Sequence, residues 1–260
     1  MYETDKILVA LRIYPGKVKR PIRSYPTEKM ELVSLSIEQL RSSLKKYDYK
    51  LVLINDGFNE ADLSQILGSN QSDILEIINT GGIGNFSTFE LQITKLLENP
   101  EFNYLYFAED DYLYSENFVD NNMYLLKKFH YTTGYYHPDY ENLNLHKSTK
   151  SNEIFPKIST TCSFWTTRKV LLEDFDRLQM YRELGDLGFW LLLTCSFSQI
   201  FYLLLRCLLS PRDIKLCTRI LRALLKKGSK FFHSDKRRLM ASYPSTSTHV
   251  DEKHIGIGWV

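Results

Sequence analysis

The chain has 260 residues, long enough for one large α/β domain with a buried core, or for such a domain with a smaller appendage. A hydrophobic share of 43% and a charged share of 25% exclude an intrinsically disordered chain. The formal net charge of +2 conceals an asymmetry: from Arg206 to Arg238 eleven Lys and Arg face two Asp, leaving 22 basic and 29 acidic residues elsewhere, so a basic segment is joined to a mildly acidic body.

Lys6 to Ile13 (KILVALRI) is a short apolar run stopped by Pro15-Gly16, as suits a buried first strand. Residues 28–47 place Met30, Val33, Ile37, Leu40 and Leu44 at helical spacing. A second apolar run, Tyr49 to Ile54, ends at Asn55-Asp56-Gly57 and completes a βαβ unit, which implies a parallel sheet covered by helices. Ala61 to Leu67 is a short helix, and Ile74 to Ile78 a third strand. Ser87 and Glu90 have the spacing of a capping box that starts a helix running to Leu97. Tyr104 to Ala108 (YLYFA) is the fourth strand and delivers Glu109, Asp110 and Asp111 at its C-terminal end.

Beyond this point helices are predicted over 116–129 and 168–181, with a strand over 158–167 and loops carrying one strand between Tyr131 and Ser159. Gly185 to Leu205 is apolar but contains Thr194, Ser196, Ser198 and Gln199, so it reads as a buried helix, a membrane-embedded segment or an interfacial one. Ile214 to Lys227 is amphipathic and basic, the pattern of a helix that contacts an anionic membrane surface. Nothing resembles a nucleic-acid recognition module. The opening MYETDKILVAL lacks the pattern of a secretory signal, and none of the four cysteines forms a C-x-x-C pair. Free thiols and a cytoplasmic location, with contact at the inner membrane face, are expected.

In an open parallel sheet, ligands collect at the C-terminal ends of the strands. Arg12 to Tyr14, Asn55-Asp56-Gly57 and Glu109-Asp110-Asp111 all fall at such ends. Consecutive carboxylates beside a buried strand repel one another and lose solvation, so they persist where a cation or hydrogen-bond donors compensate. Hard oxygen ligands of this kind suit Mg2+ or Mn2+. The loop Gly81-Gly82-Ile83-Gly84 has neither the P-loop pattern nor the full G-x-G-x-x-G of dinucleotide-binding folds.

LVLINDGF resembles the V-I-D-D-G-S stretch of family-2 glycosyltransferases of the GT-A fold, and YLYFAEDDY resembles their metal-binding D-x-D element in its E-D-D form. Between them, NTGGIGNFSTFELQITKLLE sits where that family has an Asn- and Gly-containing loop and the following helix. TTCSFWTTRKVLLEDF resembles the family's acceptor-side strand and helix, and RELGDLGFWLLL its E-D-x-x-L element. One departure is Asn55, which replaces the first acid of the usual D-D-G.

The resemblance implies a GT-A (Rossmann-like), mostly parallel sheet flanked by helices, to which the charge pattern adds a basic helical C-terminal segment. It implies a donor-binding half over 1–115, an acceptor-binding half over 116–205 and a tail over 206–260. The implied activity is metal-dependent, inverting transfer of a sugar from a nucleotide-diphosphate donor to a saccharide or lipid-linked acceptor in surface glycan assembly. Asp111 would bind Mn2+ or Mg2+ with His249 returning from the C-terminal segment. Glu109 and Asp110 would support metal and ribose, Asp56 would contact the base, and Arg12 and Tyr14 would line the nucleotide pocket. Asp186 would be the catalytic base, with Glu183, three residues earlier on the same helical face, as second choice. A sugar-nucleotidyltransferase and a non-catalytic membrane-associated adaptor are the alternatives.

Overall fold

A computed structural model describes residues 5–17, 22, 24–69, 71–136, 156–157, 162–194, 218, 221, 237–251 and 254–259. The first half alternates strand and helix: β1 (Ile7–Ile13), α1 (Lys29–Leu44), β2 (Tyr49–Asn55), α2 (Glu60–Leu67), β3 (Ile74–Asn79), α3 (Asn85–Glu98) and β4 (Tyr104–Glu109). There follow β5 (Tyr112–Tyr114), α4 (Phe118–Leu126), β6 (Tyr131–Thr133), β7 (Pro156–Lys157) and β8 (Phe164–Thr167). The last elements are α5 (Arg168–Glu173), α6 (Phe175–Leu178), α7 (Tyr181–Thr194), β9 (Leu239–Ala241) and β10 (Ser247–His249).

Eight of the strands form one sheet in the order β3-β2-β1-β4-β8-β6-β9-β7. The β3-β2-β1-β4 part is wholly parallel, β8 joins β4 antiparallel, and β6 pairs with β9 in parallel. This is the mostly parallel, helix-flanked α/β architecture that the alternating pattern implies. All seven residues of β1 are buried, and successive side chains enter opposite cores. Ile7, Val9, Leu11 and Ile13 pack with Val33, Ile37 and Leu40 of α1, whereas Leu8 and Ala10 pack with Phe89, Ile93 and Leu96 of α3. The same alternation in β4 sends Tyr106 and Ala108 to the α1 side and Leu105 and Phe107 to the α3 side.

Three expected boundaries move. Helix α3 begins at Asn85, two residues ahead of Ser87, and Gly84 at φ 83° stands at its N-cap without a side-chain cap. Ser87 and Glu90 accept hydrogen bonds from Arg182 instead of closing a capping box. The single helix expected over 168–181 is two short ones, because Asp174 leaves helical geometry and turns its carboxylate into the core. Helix α7 breaks at Gly185, whose φ of 65° is left-handed. Leu184, Phe189, Trp190 and Leu193 of that helix are buried, and no helix among the described residues is long and apolar enough to cross a membrane. Residues 195–205 and most of the basic stretch 214–227 lie outside the described residues; of the latter, Thr218 and Leu221 are helical and exposed. Cys162 is a free buried thiol, and Cys195, Cys207 and Cys217 also lie outside the described residues.

Two of the basic residues counted above are committed to the domain. Arg238 lies over the Phe129 ring, and Arg237 is buried in an ion network centred on Asp174. The fully buried Asp174 carboxylate accepts from Arg177 Nη1 (3.0 Å), Arg237 Nε (2.8 Å) and the Tyr131 hydroxyl (2.7 Å). Arg237 also donates to Glu173 at 2.7 Å. This network docks the chain immediately before β9, so that β10 can pair antiparallel with β5.

Removing the carboxylate strands the buried Arg177 guanidinium and leaves Arg237 with Glu173 alone, so Asp174→Ala is expected to cost about 3–5 kcal/mol. Urea unfolding at neutral pH measures the loss; a change under about 1 kcal/mol would contradict the network's assigned role.

Candidate active site

The three central parallel strands β2, β1 and β4 end side by side at Asn55, Ile13 and Glu109. Parallel register pairs Arg12 with Glu109. Both project to the α3 side of the sheet, since they continue the Leu8, Ala10 and Leu105, Phe107 alternation. The Arg12 guanidinium binds the Glu109 carboxylate, and its Nη1 donates to the Asn85 carbonyl at 2.8 Å. Directly behind the pair, the buried Gln92 amide donates to the carbonyls of Ala10 (2.6 Å) and Ala108 (3.0 Å), tying the two strand ends together.

The chain turns after Glu109, so its two followers point elsewhere. Asp110 accepts from Lys29 Nζ (2.7 Å) and from the Tyr14 backbone amide (2.7 Å). Asp111 pairs through Oδ2 with Nε2 of His249 at 3.0 Å. Each carboxylate therefore has its own partner: the Arg12 guanidinium from β1, the Lys29 ammonium from α1 and the His249 imidazole from β10.

Their electrostatics differ accordingly. Burial pushes the Glu109 and Asp110 carboxyls up, with Arg12 and Lys29 pulling in the opposite direction and the nearby Asp111 charge adding to the rise. Burial is the largest single influence on Asp111 too, but His249, Lys29 and Arg12 together outweigh it and bring the carboxyl down to about 2. Burial likewise works against the His249 imidazolium, and Asp111, with Glu109 and Asp251, outweighs it and raises His249. Arg12 is held cationic because Glu109, with smaller contributions from Cys162 and Tyr181, outweighs desolvation.

Asp56 serves the glycine loop. Its Oδ1 accepts from the Thr80 hydroxyl (2.6 Å) and the amides of Gly82 (2.9 Å) and Ile83 (2.7 Å), and its Oδ2 accepts from the Gly84 amide (2.9 Å). Burial raises the Asp56 carboxyl, but these donors outweigh it and the net shift is downward. Gly81, Gly82 and Gly84 all have positive φ, which only glycine adopts without strain. Asn55 explains its own departure from the family pattern: its Oδ1 accepts from the Phe58 amide, while its Nδ2 donates to the Phe58 carbonyl and to Asn79 Oδ1 on β3. A carboxylate could accept the first of these bonds but make neither of the others.

The break at Gly185 turns Asp186 back toward Tyr181. Asp186 Oδ1 accepts from the Tyr181 hydroxyl (2.8 Å) and Cys162 Sγ (3.3 Å). Through Tyr181 and Asn85 it connects to Arg12, and its charge contributes to the rise of the Glu109 carboxyl, so it belongs to the same cluster. Glu183 is exposed one turn earlier, and the left-handed Gly185 between them cancels the shared helical face that their spacing predicts. The Tyr14 ring is 56% exposed beside the strand ends, and the His254 ring centroid stands 5.9 Å from that of His249.

Arg12, Glu109, Asp110, Asp111, Asp186 and His249 are thus assembled at one end of the sheet, with Asp56 at its glycine-loop side. Sequence reading missed Lys29, Asn85, Cys162 and Tyr181. Lys29 had a readable signal: it is the first residue of α1, where a cation opposes the helix dipole and calls for a carboxylate. Cys162 and Tyr181 join the site through Asp186, which the Gly185 break turns toward them, and Asn85 through its contacts with Arg12 and Tyr181; none of these long-range contacts has a local pattern.

No protein-family model matches the sequence, and no curated protein matches it. Among solved structures the chain is similar to residues 1–349 of TarS from Staphylococcus aureus, at 11% identity and a TM-score of 0.43, over 66% of this chain and 49% of that one. It is similar to the 4-diphosphocytidyl-2C-methyl-D-erythritol synthase of Anaerococcus prevotii, at 12% identity and a TM-score of 0.45, over 69% and 76% of the two chains. It is also similar to Rv0371c of Mycobacterium tuberculosis, at 11% identity and a TM-score of 0.40, over 69% and 77%. The chain spans about half the length of the TarS fragment.

Because folding lowers the Asp56 carboxyl, its contribution is present above the unfolded value of about 3.9 and is lost as pH falls through the folded value. Asp56→Asn is expected to cost about 2–3 kcal/mol at pH 7, the scale of hydrogen bonds to a charged acceptor. Urea unfolding of both proteins between pH 7 and pH 3 should show that gap closing on acidification; a gap independent of pH would contradict the assignment.

Proposed function

We propose that this chain is a transferase that moves a sugar from a nucleotide-diphosphate donor to a hydroxyl of a saccharide or lipid-linked acceptor, with inversion, in surface glycan assembly. The observation that carries the reading is the Asp111–His249 pair at the C-terminal end of the central strand. Asp111 Oδ1 and His249 Nδ1 are both buried without a hydrogen-bond partner, and Oδ2 and Nε2 face each other at 3.0 Å, the two atoms between which one ion could replace the bridging proton. Among the described residues no group of three or more His, Cys, Asp and Glu side chains is arranged to hold a metal ion.

A carboxylate and an imidazole nevertheless fit Mn2+ or Mg2+ as a partial set, with further ligands coming from a donor diphosphate and water. Such an ion would neutralise the diphosphate and stabilise it as a leaving group. Arg12 and Lys29 place fixed positive charge at the same strand ends, favouring an anionic donor there. Tyr14 offers an exposed ring to the nucleotide. Asp56 supports the base-binding loop, with one Oδ2 lone pair available for the base itself.

Asp186 accepts the proton of the acceptor hydroxyl as that oxygen forms its bond to the anomeric carbon. The bond from that carbon to the diphosphate breaks on the opposite face, and the electron pair leaves with the nucleoside diphosphate. Asp186 suits this role because Oδ1 carries two donors, while Oδ2 makes no hydrogen bond among the described residues at an exposed position. Contact of the basic stretch 206–236 with an anionic membrane surface belongs to the same proposal and is supported by its charge pattern.

A thermal-shift panel of UDP-, GDP-, CMP- and dTDP-sugars with and without Mn2+ tests the reading. One nucleotide family is expected to raise Tm by several degrees only when Mn2+ is present, and Asp111→Ala or His249→Ala to abolish that increment. No metal-dependent stabilisation by any donor would contradict it. In turnover assays Asp186→Asn is expected to lower kcat by about 10²–10⁴-fold while donor affinity holds. Release of pyrophosphate instead of nucleoside diphosphate would identify a sugar-nucleotidyltransferase.

A further inference from the structure

The proposed base is held by a group that the transfer chemistry does not itself require. We infer that Tyr181 is a positioning residue for Asp186, with its hydroxyl oriented by Asn85 from the start of α3. The inference rests on the proposed role of Asp186.

The Tyr181 hydroxyl donates to Asp186 Oδ1 at 2.8 Å and accepts from Asn85 Nδ2 at 3.2 Å. A phenol has one proton, so the bond received from Asn85 leaves that proton for the carboxylate. Burial, followed by the nearby Cys162 and Asp186, pushes the phenol far up, so it remains a donor at neutral pH. The ring is buried and fixed by Phe89 (centroids 4.5 Å apart), Phe86 (5.3 Å) and Phe189 (5.9 Å).

The left-handed turn at Gly185 is what allows a residue five positions later to reach back to this hydroxyl. Fixing Oδ1 in this way sets the orientation of the carboxylate and presents Oδ2 to an acceptor. Asn85 also gives its carbonyl to Arg12, so a single residue touches both the Arg12–Glu109 pair and the arm that orients the base. The start of α3, shaped by Asp56 through the glycine loop, thereby links the donor side of the cleft to the acceptor side.

Tyr181→Phe keeps the ring and its packing while deleting the hydroxyl. It is expected to lower kcat for transfer about tenfold, the scale of one hydrogen bond to a charged group, with donor KM and Tm close to wild type. Asn85→Ala, at an exposed position, is expected to give a smaller loss of the same kind. In the Asp186→Asn background Tyr181→Phe should add no further loss, because its effect passes through the carboxylate. An unchanged kcat in Tyr181→Phe, or a full tenfold loss persisting in the Asp186→Asn background, would overturn the inference while the transferase reading stands. Wild-type protein that transfers no sugar from any donor would overturn both.

Discussion

The structure depends on the compensation of three consecutive carboxylates at the end of a buried strand. An ion taken out of water costs several kcal/mol, and a buried pair broken at one side costs about 3–5 kcal/mol. Arg12, Lys29 and His249, arriving from three separate elements, offset this penalty: fully at Asp111, and only in part at Glu109 and Asp110, whose carboxyls stay raised by burial. The β1–β4 register supplies the first, the N-terminus of α1 the second, and the return of the chain as β10 the third. The remote Asp174 network acts on the cleft through that third requirement. By docking Arg237 it holds the segment whose far end carries His249.

The second organising feature is a carboxylate placed where a ligand anion is often found. Asp56 fills the nest of amides at Gly82, Ile83 and Gly84, so the glycine loop is folded by the protein's own charge before any substrate arrives. The loop hands over to α3 at Asn85, whose carbonyl meets Arg12 and whose amide meets Tyr181. Arg12 and Tyr181 are thus connected through short polar contacts on one helix terminus.

Much of this was legible in the sequence, for identifiable reasons. The runs ILVALRI, LVLI and YLYFA are unbroken because their strands are buried on both faces, and their polar terminators fell at the strand ends where the cleft forms. The association of His249 with Asp111, across more than a hundred residues, was expected from the family resemblance and appears as a 3.0 Å contact. The errors came where tertiary contacts override local pattern. Ser87 and Glu90 have capping-box spacing, yet Arg182 claims both. Asp174 interrupts a helix that periodicity would continue, because its carboxylate is needed in the core. Glu183 was second choice to Asp186 because a spacing of three keeps one helical face, until Gly185 separated their directions.

We propose the triple carboxylate cluster, completed by His249, as a site for a divalent ion and a nucleotide-diphosphate sugar. An anomalous-scattering map from crystals grown with Mn2+ and the stabilising donor is the decisive measurement. One Mn2+ peak shared by Asp111 and His249 is expected, with the diphosphate alongside it at the ends of β1 and β4. Mn2+ bound away from these two side chains, or a nucleotide lying outside the cleft at the ends of β2, β1 and β4, would contradict it.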